Sequence, residues 1–384
     1  MITLLHTADV HLGARFESFG SAASVCRALH QRTFDDIVRL AEAQADFLVV
    51  AGDLFESHRP EAALVEFVAH RFASLVQKGK PVVLIPGTHD SCAYAESVYR
   101  SNKLGGAHIL AGPEFTPPVE LLAARSGEPV FFYGCAGAPP GADLKEAERL
   151  LATLRRSDSR GCHVALIHGS VMEPRGQGAR PEDLPMTEPQ LAGFGMDYVA
   201  LGHHHGWKVF TQGERAVACY PGSPVAKSFR ECGERSVALV RIEAGRASVE
   251  RLSTNNLTAM ECAVQVSTAH SPEDVAAEIR KLDDEKRLAR VHLTGAPNCV
   301  LNLEWLHAQT SPGFAFLDLV DETEVADTEA LRTWEAEPTI RGVFVRKMME
   351  RIKAAEGEQK RLLEDALKTG ALALARNKGM TGGT

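Results

Sequence analysis

The sequence lacks the features of a membrane protein, of a disulfide-bonded protein and of a protein that coats nucleic acid. None of its apolar runs reaches the roughly 20 residues that a transmembrane helix needs. Its 8 cysteines are scattered, and none stands in the C-x-x-C spacing of a zinc knuckle or redox pair. With 42 basic and 50 acidic residues, the chain has a formal net charge of -8. We therefore expect a cytoplasmic protein with reduced thiols and no membrane contact, in which any nucleic-acid site is local.

What is present is the composition of a globular protein of about two or three domains. Apolar residues make up 45% and charged residues 24% of the 384 residues, which argues against disordered and coiled-coil classes. Changes in patterning divide the chain near residues 257 and 321. We predict a large α/β domain over 1–257, a small α+β capping domain over 258–321, and a linker with partner-binding helices over 322–384.

Short β-branched runs alternate with helical patterns in the first of these regions. Helices are predicted over Cys26–Gln44 and Glu61–Gln77, where apolar residues recur on one face. The alternation of strands and helices favours a layered α/β fold. The clearest predicted strands are Leu4–Leu5, Phe47–Val50, Val82–Ile85, Val164–Ile167 and Tyr198–Leu201.

Residues of metal-ligand type follow each of these predicted strands. In an open α/β sheet the loops at the carboxyl ends of the strands meet at one crevice, so distant positions can be brought together there. The set offers oxygen and imidazole donors without thiolate, which suits Mn²⁺, Fe²⁺ or Zn²⁺. The residues are Asp9 and His11, Asp53, then Thr88, His89 and Asp90, then His168, and finally His203, His204 and His205.

Such a set suits phosphodiester chemistry with two metal ions. Two cations about 3.5 to 4 Å apart can bind the non-bridging oxygens of a phosphodiester and share a hydroxide aimed in line at phosphorus. A carboxylate must bridge the two ions, and Asp53 is the natural choice. Gly52 and Gly87 lie where the backbone turns off a strand and approaches the metals.

The ordered motifs resemble those of the calcineurin-like metallophosphoesterase superfamily, and within it the SbcD-like and YhaO-like DNA-repair nuclease branch. The resemblance covers most of residues 1–257. It implies a four-layer α/β/β/α sandwich and two divalent cations, with Mn²⁺ favoured. The matching motifs are Asp9-x-His11, Gly52-Asp53, Gly87 to Asp90, the lone His168, and Gly202 to His205.

The resemblance also implies roles for single residues. His89 would be the acid, or the histidine that stabilises the phosphate. The ligands of one metal would be Asp9, His11, Asp53 and His205, and those of the other would be Asp53, Thr88, His168 and His203.

The sequence departs from the family pattern at two positions. Thr88 stands where the family usually has an asparagine ligand, and a neutral hydroxyl is a poorer donor than an amide carbonyl. A direct and a water-mediated role for Thr88 both remain open. The nuclease branch can carry a histidine shortly after the Gly-Asp motif, whereas Glu56 stands near that place here and His58 follows two residues later.

Other polar residues near the motifs are expected to orient loops, contact the substrate or support the structure. His204 lies between two predicted ligands and is expected to point away from them, and Asp90 is expected to orient the loop. Arg15, His58 and Arg59 are candidate substrate contacts, as is the stretch from Arg175 to Arg180, because Arg and Lys commonly contact phosphates. His6, His30, His70 and His163 fall on predicted strands or helices and are expected to be structural.

Three functions remain open from the sequence. The first is the DNA-cleaving nuclease subunit of a repair complex, for which the resemblance implies DNA as substrate and an SbcC-like or YhaN-like coiled-coil ATPase as partner, and allows for a homodimer. The second is a phosphodiesterase or phosphatase for a small nucleotide or other phosphoester. The third is a DNA-end-binding scaffold whose active site Thr88 impairs.

The C-terminal region has an amphipathic pattern. Apolar residues recur at intervals of four, with basic residues between them, and a second apolar face follows. These faces either pack on the protein's own small domain or dock on the partner ATPase. The first face comprises Ile340, Val343, Phe344, Met348 and Ile352, and the second comprises Leu362, Leu363, Ala366 and Leu367.

Overall fold

The computed structural model describes residues 1–101, 104–139, 141–172, 180–267, 270–297, 301–323 and 334–376. The chain divides into two compact units, Met1–Thr258 and Ala259–Thr384. The three-part division drawn from the sequence stays a prediction. Within the described ranges, no helix is long and apolar enough to cross a membrane, and Cys26, Cys92, Cys135, Cys162 and Cys219 are free thiols.

The first unit contains strands β1 to β14 and helices α1 to α4, numbered in chain order. The strands are β1 (Ile2–Thr7), β2 (Phe47–Ala51), β3 (Val82–Ile85), β4 (His108–Ile109), β5 (Val119–Leu122), β6 (Pro129–Tyr133), β7 (Cys162–His168), β8 (Val171–Met172), β9 (Met186–Thr187), β10 (Tyr198–Gly202), β11 (Lys208–Gln212), β12 (Arg215–Tyr220), β13 (Ser236–Glu243) and β14 (Arg246–Ser253). The helices are α1 (Ala23–Gln44), α2 (Ala62–Gln77), α3 (Leu144–Leu151) and α4 (Glu188–Gly193).

Twelve of these strands form one mixed sheet, in the order β4-β3-β2-β1-β13-β14-β12-β10-β7-β6-β5, with β11 paired to β12. Strands β1 to β4 are parallel, and β6, β7, β10 and β12 form a second parallel group. The antiparallel strands β13 and β14 connect the two groups. Parallel neighbours need crossover connections, which helices α1 and α2 provide in the first group.

The two parallel groups share an inner apolar layer. Successive side chains of a strand point to opposite faces of the sheet, so Phe47 of β2 lies in the inner cluster while its neighbour Leu48 lies in the outer one. The ring of Phe47 contacts that of Phe132 in β6, with 5.0 Å between the centroids. The inner layer is therefore filled from both groups of strands.

Helices cover the outer faces of both groups. Phe34 of α1 and Phe72 of α2 are fully buried and pack in the cluster that contains Leu48. Leu150 of α3 packs in a separate cluster with Ile167 of β7. Burying one such side chain contributes roughly 1.5 to 3 kcal/mol to stability. The layers follow the order helix, sheet, sheet, helix, which confirms the predicted α/β/β/α fold.

The second unit contains a small α+β structure. Its strands form a sheet in the order β15-β16-β17, in which β16 and β17 are parallel. The core of this sheet contains Val275 and Ile279 from α5 together with Val291 and Leu317 from β16 and β17. The elements are β15 (Thr258–Val266), α5 (Pro272–Arg280), β16 (Asp284–Gly295), α6 (Leu303–Thr310) and β17 (Phe314–Thr323).

Two helices, α7 (Ile340–Lys353) and α8 (Gly357–Arg376), follow in this unit and pack against each other. The apolar seam between them is formed by Val345, Met348, Ile352, Leu367 and Ala371. Part of the predicted apolar surface is thus used within the helix pair. Among the described side chains of these helices, three large apolar ones remain exposed, Ile340 at 79%, Val343 at 45% and Leu362 at 68%.

Candidate active site

The predicted ligands lie where strands of both parallel groups end. Strand β7 ends at His168, and β10 ends at Gly202, one residue before His203. The loops after β1 and β2 are joined by a hydrogen bond from Asp9 N to Gly52 O at 3.2 Å. The carboxyl ends of these strands thus meet at one place, although the residues are far apart in the sequence.

Asp9, His11 and His205 form a first donor cluster, with ligand atoms within 4.8 Å of one another. His11 Nε2 lies 3.2 Å from His205 Nε2, which lies 4.0 Å from Asp9 Oδ1. Carboxylates contact the other ring nitrogens. His205 Nδ1 donates to Glu231 Oε1 at 2.6 Å, and His11 Nδ1 lies 3.0 Å from Glu56 Oε2. A carboxylate at Nδ1 fixes the imidazole and leaves the Nε2 lone pair free for a cation.

Asp9, Asp53 and His168 form a second donor cluster, and all three are buried. His168 Nδ1 donates to the carbonyl oxygen of Ala51 at 2.9 Å. In a neutral ring this hydrogen bond leaves a lone pair on Nε2, which lies 3.4 Å from Asp53 Oδ2. The same Asp53 oxygen lies 3.6 Å from His11 Nε2. One carboxylate oxygen is therefore shared by the two clusters.

The arrangement fits divalent cations. The Nε2 atoms of His11 and His205 face each other, and His168 Nε2 faces a carboxylate oxygen, so each pair needs a proton or a cation between its two atoms. Burying uncompensated charges and lone pairs together is costly. A cation between them removes the conflict, and the mixture of imidazole and carboxylate donors is typical of Mn²⁺, Fe²⁺ and Zn²⁺ sites.

The pKa values of these groups reflect the same close approach of imidazole and carboxylate groups. Burial alone would lower the pKa of His168, but the Asp53 carboxylate raises it to about 10. Burial favours the neutral form of Asp53 as well, yet His168 and His11 hold its pKa well below the usual range. Burial, reinforced by His168, lowers the pKa of His203 to about 3. Negative charge is thus fixed at Asp53, where it can attract cations.

His203 and Thr88 lie at the edge of the second cluster. The backbone N–H of His203 donates to both carboxylate oxygens of Asp9, at 2.9 and 3.1 Å, and its ring centroid is 5.3 Å from that of His168. The Thr88 side chain is exposed, and its hydroxyl donates to Asp53 Oδ2 at 3.5 Å. The ligand roles predicted for both residues stay predictions.

His89 is placed beside the clusters with its ring partly free. Its backbone N–H donates to Asp53 Oδ1 at 2.8 Å, and its side chain is 46% exposed. The Nδ1 atom lies 3.7 Å from Glu56 Oε1. Glu56 therefore contacts both His11 and His89, and the three residues form a third donor group.

Backbone strain is concentrated at the predicted ligands. Asp9 has φ 51, His11 has φ 53, Asp53 has φ 48 and His203 has φ 100. Non-glycine residues rarely adopt this left-handed region, and each such residue costs about 1–3 kcal/mol. Of the 7 described non-glycine residues with positive φ, 4 are predicted metal ligands. The rest of the fold therefore holds these loops in a backbone conformation that their residues do not favour.

Two motif glycines make room for ligands. A Cβ atom at Gly52, which has φ 88, would overlap the ring of His168, and a Cβ atom at Gly87 would overlap the carboxylate of Asp53. A side chain at either position would displace a predicted ligand. The glycines in the Gly52-Asp53 and Gly87 to Asp90 motifs are therefore explained by packing around the donors.

Asp90 is a buried anchor for the loop that carries Thr88 and His89. Its carboxylate accepts hydrogen bonds from Gly87 N at 2.7 Å, Phe55 N at 3.0 Å and the Tyr99 hydroxyl at 2.5 Å. Burial and the nearby Asp53 charge raise the pKa of Asp90 to about 6. Its predicted role in orienting the loop agrees with these contacts.

The remaining histidines point elsewhere. His204 Nε2 lies 3.3 Å from Ser170 Oγ, and its ring contacts that of Tyr220 with 4.9 Å between the centroids. His6 lies beside the Tyr198 hydroxyl, His30 donates to the carbonyl oxygen of Val10, and His163 lies beside the Tyr133 hydroxyl. These contacts are structural, as the sequence indicated.

Two cavities border the clusters. One, of about 950 Å³, is lined by Thr88, His89, His168, His203 and Tyr94, among others. The ring of Tyr94 stacks on that of His58, with centroids 4.1 Å apart and planes at 22°.

The other cavity, of about 1020 Å³, is lined by Arg15, Arg59, Glu56 and Lys227 together with further residues. Of the loop from Arg175 to Arg180, only Arg180 lies within the described residues, and it lines the first cavity. The substrate contacts predicted for Arg15, His58 and Arg59 stay predictions.

Three acidic residues of the site were missed as contributors by sequence reasoning. Glu56 was noted only as a departure from a family pattern, and Glu231 and Asp183 were not considered. Glu231 lies 26 positions after His205, with which it forms a hydrogen bond. Glu56 stands three positions after Asp53, but no short spacing links Glu231 or Asp183 to a motif, because the paths of the loops alone bring these two to the histidines.

Comparison with known proteins gives the same result as the geometry. The sequence profile of the calcineurin-like phosphoesterase family matches residues 2–207, more than half of the chain. Over 341 residues the chain is 25% identical to the uncharacterized metallophosphoesterase YhaO of Bacillus subtilis (strain 168). This alignment covers 85% of this chain and 79% of that protein. Over 359 residues it is 26% identical to the SbcD subunit of nuclease SbcCD from the same organism, covering 85% and 88%.

A further similar protein is the DNA double-strand break repair protein Mre11 of Methanopyrus kandleri. It is 27% identical over 232 residues, which are 59% of this chain and 50% of that protein. The resemblance predicted from the motifs is confirmed, since the family profile spans the predicted ligands from Asp9 to His205. The chain belongs to the calcineurin-like phosphoesterase family, and it is a hydrolase that acts on phosphodiester bonds.

Proposed function

We propose that this protein cleaves the phosphodiester bonds of DNA with the help of two divalent cations. The observation that carries the proposal is the shared Asp53 oxygen, 3.4 Å from His168 Nε2 and 3.6 Å from His11 Nε2. A carboxylate in this position can serve two ions at once. Mn²⁺ is the favoured metal, with Fe²⁺ or Zn²⁺ as alternatives. When bound, the cations would supply Lewis-acid activation of the phosphodiester and of the attacking water.

The chain's own residues would hold the ions and move a proton. Asp9, His11, Asp53 and His205 are proposed as ligands of the first ion. Asp53, His168 and His203 are proposed for the second, with Thr88 nearby.

His89 is the proposed catalytic acid. Its Nδ1 faces the Glu56 carboxylate at 3.7 Å, which leaves Nε2 for the leaving oxygen. An acid in this position protonates the leaving oxygen as the bond to phosphorus breaks.

The surroundings of the clusters favour a polymer substrate. The cavity of about 950 Å³ borders the second cluster, and the cavity of about 1020 Å³ includes Glu56 of the third donor group. Arg15 and Arg59 line one of them and can contact backbone phosphates. Tyr94, which is 47% exposed, presents an aromatic surface on which a base can stack. The names of two similar proteins, the SbcD subunit of nuclease SbcCD and the DNA double-strand break repair protein Mre11, agree with DNA as substrate.

A partner is part of the proposal. One similar protein is named as a subunit of nuclease SbcCD. The exposed apolar residues Ile340, Val343 and Leu362 of α7 and α8 offer a surface for a coiled-coil ATPase of the SbcC or YhaN kind. A cytoplasmic location and the allowance for a homodimer remain predictions.

A cleavage assay tests the proposed substrate. The full chain is incubated with Mn²⁺ and end-labelled linear DNA, either single-stranded or double-stranded, and in parallel with a chromogenic phosphodiester. We expect DNA to be shortened, and the Asp53→Asn variant to leave it intact. Hydrolysis of the chromogenic diester without cleavage of DNA would overturn DNA as the substrate and favour a small phosphoester.

A further inference from the structure

The second donor cluster has no carboxylate that is not also close to the first cluster. Asp9 belongs to both clusters and Asp53 Oδ2 lies near the histidines of both, whereas the other donors proposed for the second cation are His168, His203 and the neutral Thr88 hydroxyl. A hydroxyl is a weak ligand for a hard divalent cation, for which carboxylate oxygens are preferred. A cation at this position would benefit from one more carboxylate.

Asp183 provides a carboxylate at this place. Its Oδ1 lies 3.7 Å from His203 Nε2, and the two side chains are 24% and 22% exposed. Asp183 lines the cavity of about 950 Å³ together with Thr88, His168 and His203. Among the described residues, none donates a hydrogen bond to this carboxylate. It therefore faces the cavity with its lone pairs available.

The distance between Asp183 and His203 matches the spacing of the other donors. Two ligands at about 2.0 to 2.2 Å from one ion lie about 3 to 4 Å apart. His11 and His205 are 3.2 Å apart and His168 and Asp53 are 3.4 Å apart, measured between the donor atoms. The 3.7 Å between Asp183 and His203 falls in the same range.

The backbone fixes Asp183 beside the predicted ligand His168. Ser170, two residues after His168, donates its N–H to the carbonyl oxygen of Asp183 at 2.7 Å. Gly169 lies so close that a Cβ atom there would come within 2.8 Å of the same oxygen. The segments that carry the two residues are therefore in direct contact.

We propose that Asp183 is a ligand of the second divalent cation, where it supplies the charge that Thr88 does not. This inference rests on the two-cation site proposed above. It assigns a metal-binding role to a residue outside the five motifs.

Calorimetric titration of the full chain with Mn²⁺ tests the role of Asp183 without measuring catalysis. We expect two ions per wild-type chain, and for Asp183→Ala a weakening of the second site by at least about tenfold with the first unchanged. Glu182→Ala is the matched control, because Glu182 lines the same cavity and its removal changes the charge equally. An unchanged second site in Asp183→Ala, or equal weakening in Glu182→Ala, overturns the proposal.

A cysteine variant tests direct contact. With Co²⁺, the Asp183→Cys variant should show a sulfur-to-metal charge-transfer absorption that neither wild type nor Glu182→Cys shows. A fully loaded Asp183→Cys variant without this band would overturn a ligand role and leave Asp183 as a support for His203. A wild-type chain that binds only one Mn²⁺ would overturn both the two-cation site and the role of Asp183. Two bound ions without DNA cleavage would contradict the proposed substrate alone.

Discussion

At the scale of single residues, Asp53 is the donor on which both clusters depend. Replacing it by asparagine keeps the shape and the hydrogen bond from His89 N, but removes the charge between His168 and His11. We expect Asp53→Asn to lose hydrolysis of a chromogenic phosphodiester by about 10³-fold or more, since the removed charge would serve both cations. Initial rates with added Mn²⁺ measure this, and thermal unfolding serves as the control for an intact fold. Wild-type-like turnover would contradict the two-cation site.

Replacing His89 distinguishes a catalytic acid from a metal ligand. The His89→Ala variant should keep both ions and lose about 10²- to 10⁴-fold in rate, as expected for an acid catalyst. Its partly exposed ring makes a large loss of stability unexpected. Rates are compared with Mn²⁺ titrations of the same preparation. Loss of a bound ion in this variant would show that His89 is a ligand instead.

His6 is expected to make the stability of the folded chain depend on pH. It is fully buried beside the Tyr198 hydroxyl, and burial lowers its pKa to about 3, against 6.5 in an unfolded chain. Below pH 6.5 the unfolded state binds a proton that the folded state does not, so this contribution to stability is complete above that pH and decreases as the pH falls towards 3. The decrease is about 1.4 kcal/mol per pH unit.

The measurement is urea unfolding at pH 7.5 and pH 5.5, with a chelator present, for wild type and His6→Asn. Between pH 7.5 and pH 5.5 the free energy of unfolding of the variant should fall by about 1.4 kcal/mol less than that of the wild type, since asparagine does not titrate in this range. Tyr198 is the titratable side chain in contact, and burial raises its pKa well above the usual range, so it stays neutral throughout. Equal losses in the two proteins would show that His6 is not the titrating group.

At the scale of elements, the sequence predicts the helices and central strands well, because their apolar periodicity is strong. The predicted helix Cys26–Gln44 is extended by three residues to Ala23, and Glu61–Gln77 begins one residue later, at Ala62. Strand β6 was not predicted, although it belongs to the second parallel group, where it pairs with β7. A run of five apolar residues does not distinguish a strand from a buried helical turn by periodicity.

The predicted donors could be recognised because each follows a strand within a few residues. The supporting carboxylates could not, since Glu231 reaches His205 only through a short 3₁₀ turn at Phe229–Glu231. The order of the strands in the sheet could not be predicted from the sequence either. The pairing of β1 with β13 joins residues more than 200 positions apart, as in Leu4 opposite Val240.

The helix pair α7 and α8 gives a prediction about the partner. Ile340 and Leu362 are exposed, whereas Val345 is buried between the helices. We expect the double variant Ile340→Asp and Leu362→Asp to keep Mn²⁺-dependent hydrolysis of the chromogenic diester and to lose co-purification with the proposed coiled-coil ATPase partner. Deletion of residues 339–384 should have the same two effects.

Val345→Asp is the control for these helices, since a charge in the seam should unfold the pair and lower its helical circular dichroism signal. A folded double variant that still binds the ATPase would show that these side chains are not the docking surface.

At the scale of the whole molecule, the net charge of -8 means that the proposed DNA substrate would have to be bound at a local basic site. Arg15 and Arg59 line a cavity beside the clusters. If each contacts one phosphate, Arg15→Ala or Arg59→Ala should weaken binding and reduce the slope of log affinity against log salt by about 1. Fluorescence anisotropy with a labelled DNA, with Ca²⁺ in place of Mn²⁺, measures the slope. Arg39→Ala, on the exposed face of α1 and paired with Asp36, should leave it unchanged.

The left-handed backbone at Asp9, His11, Asp53 and His203 has a consequence for the stability of the chain. At about 1–3 kcal/mol for each residue, the four together cost an amount comparable to the roughly 5–15 kcal/mol that separates a folded protein from its unfolded chain. Glycine at these positions would relieve that strain. Replacing one of these residues by glycine would therefore remove a donor from the site and at the same time make the folded chain more stable.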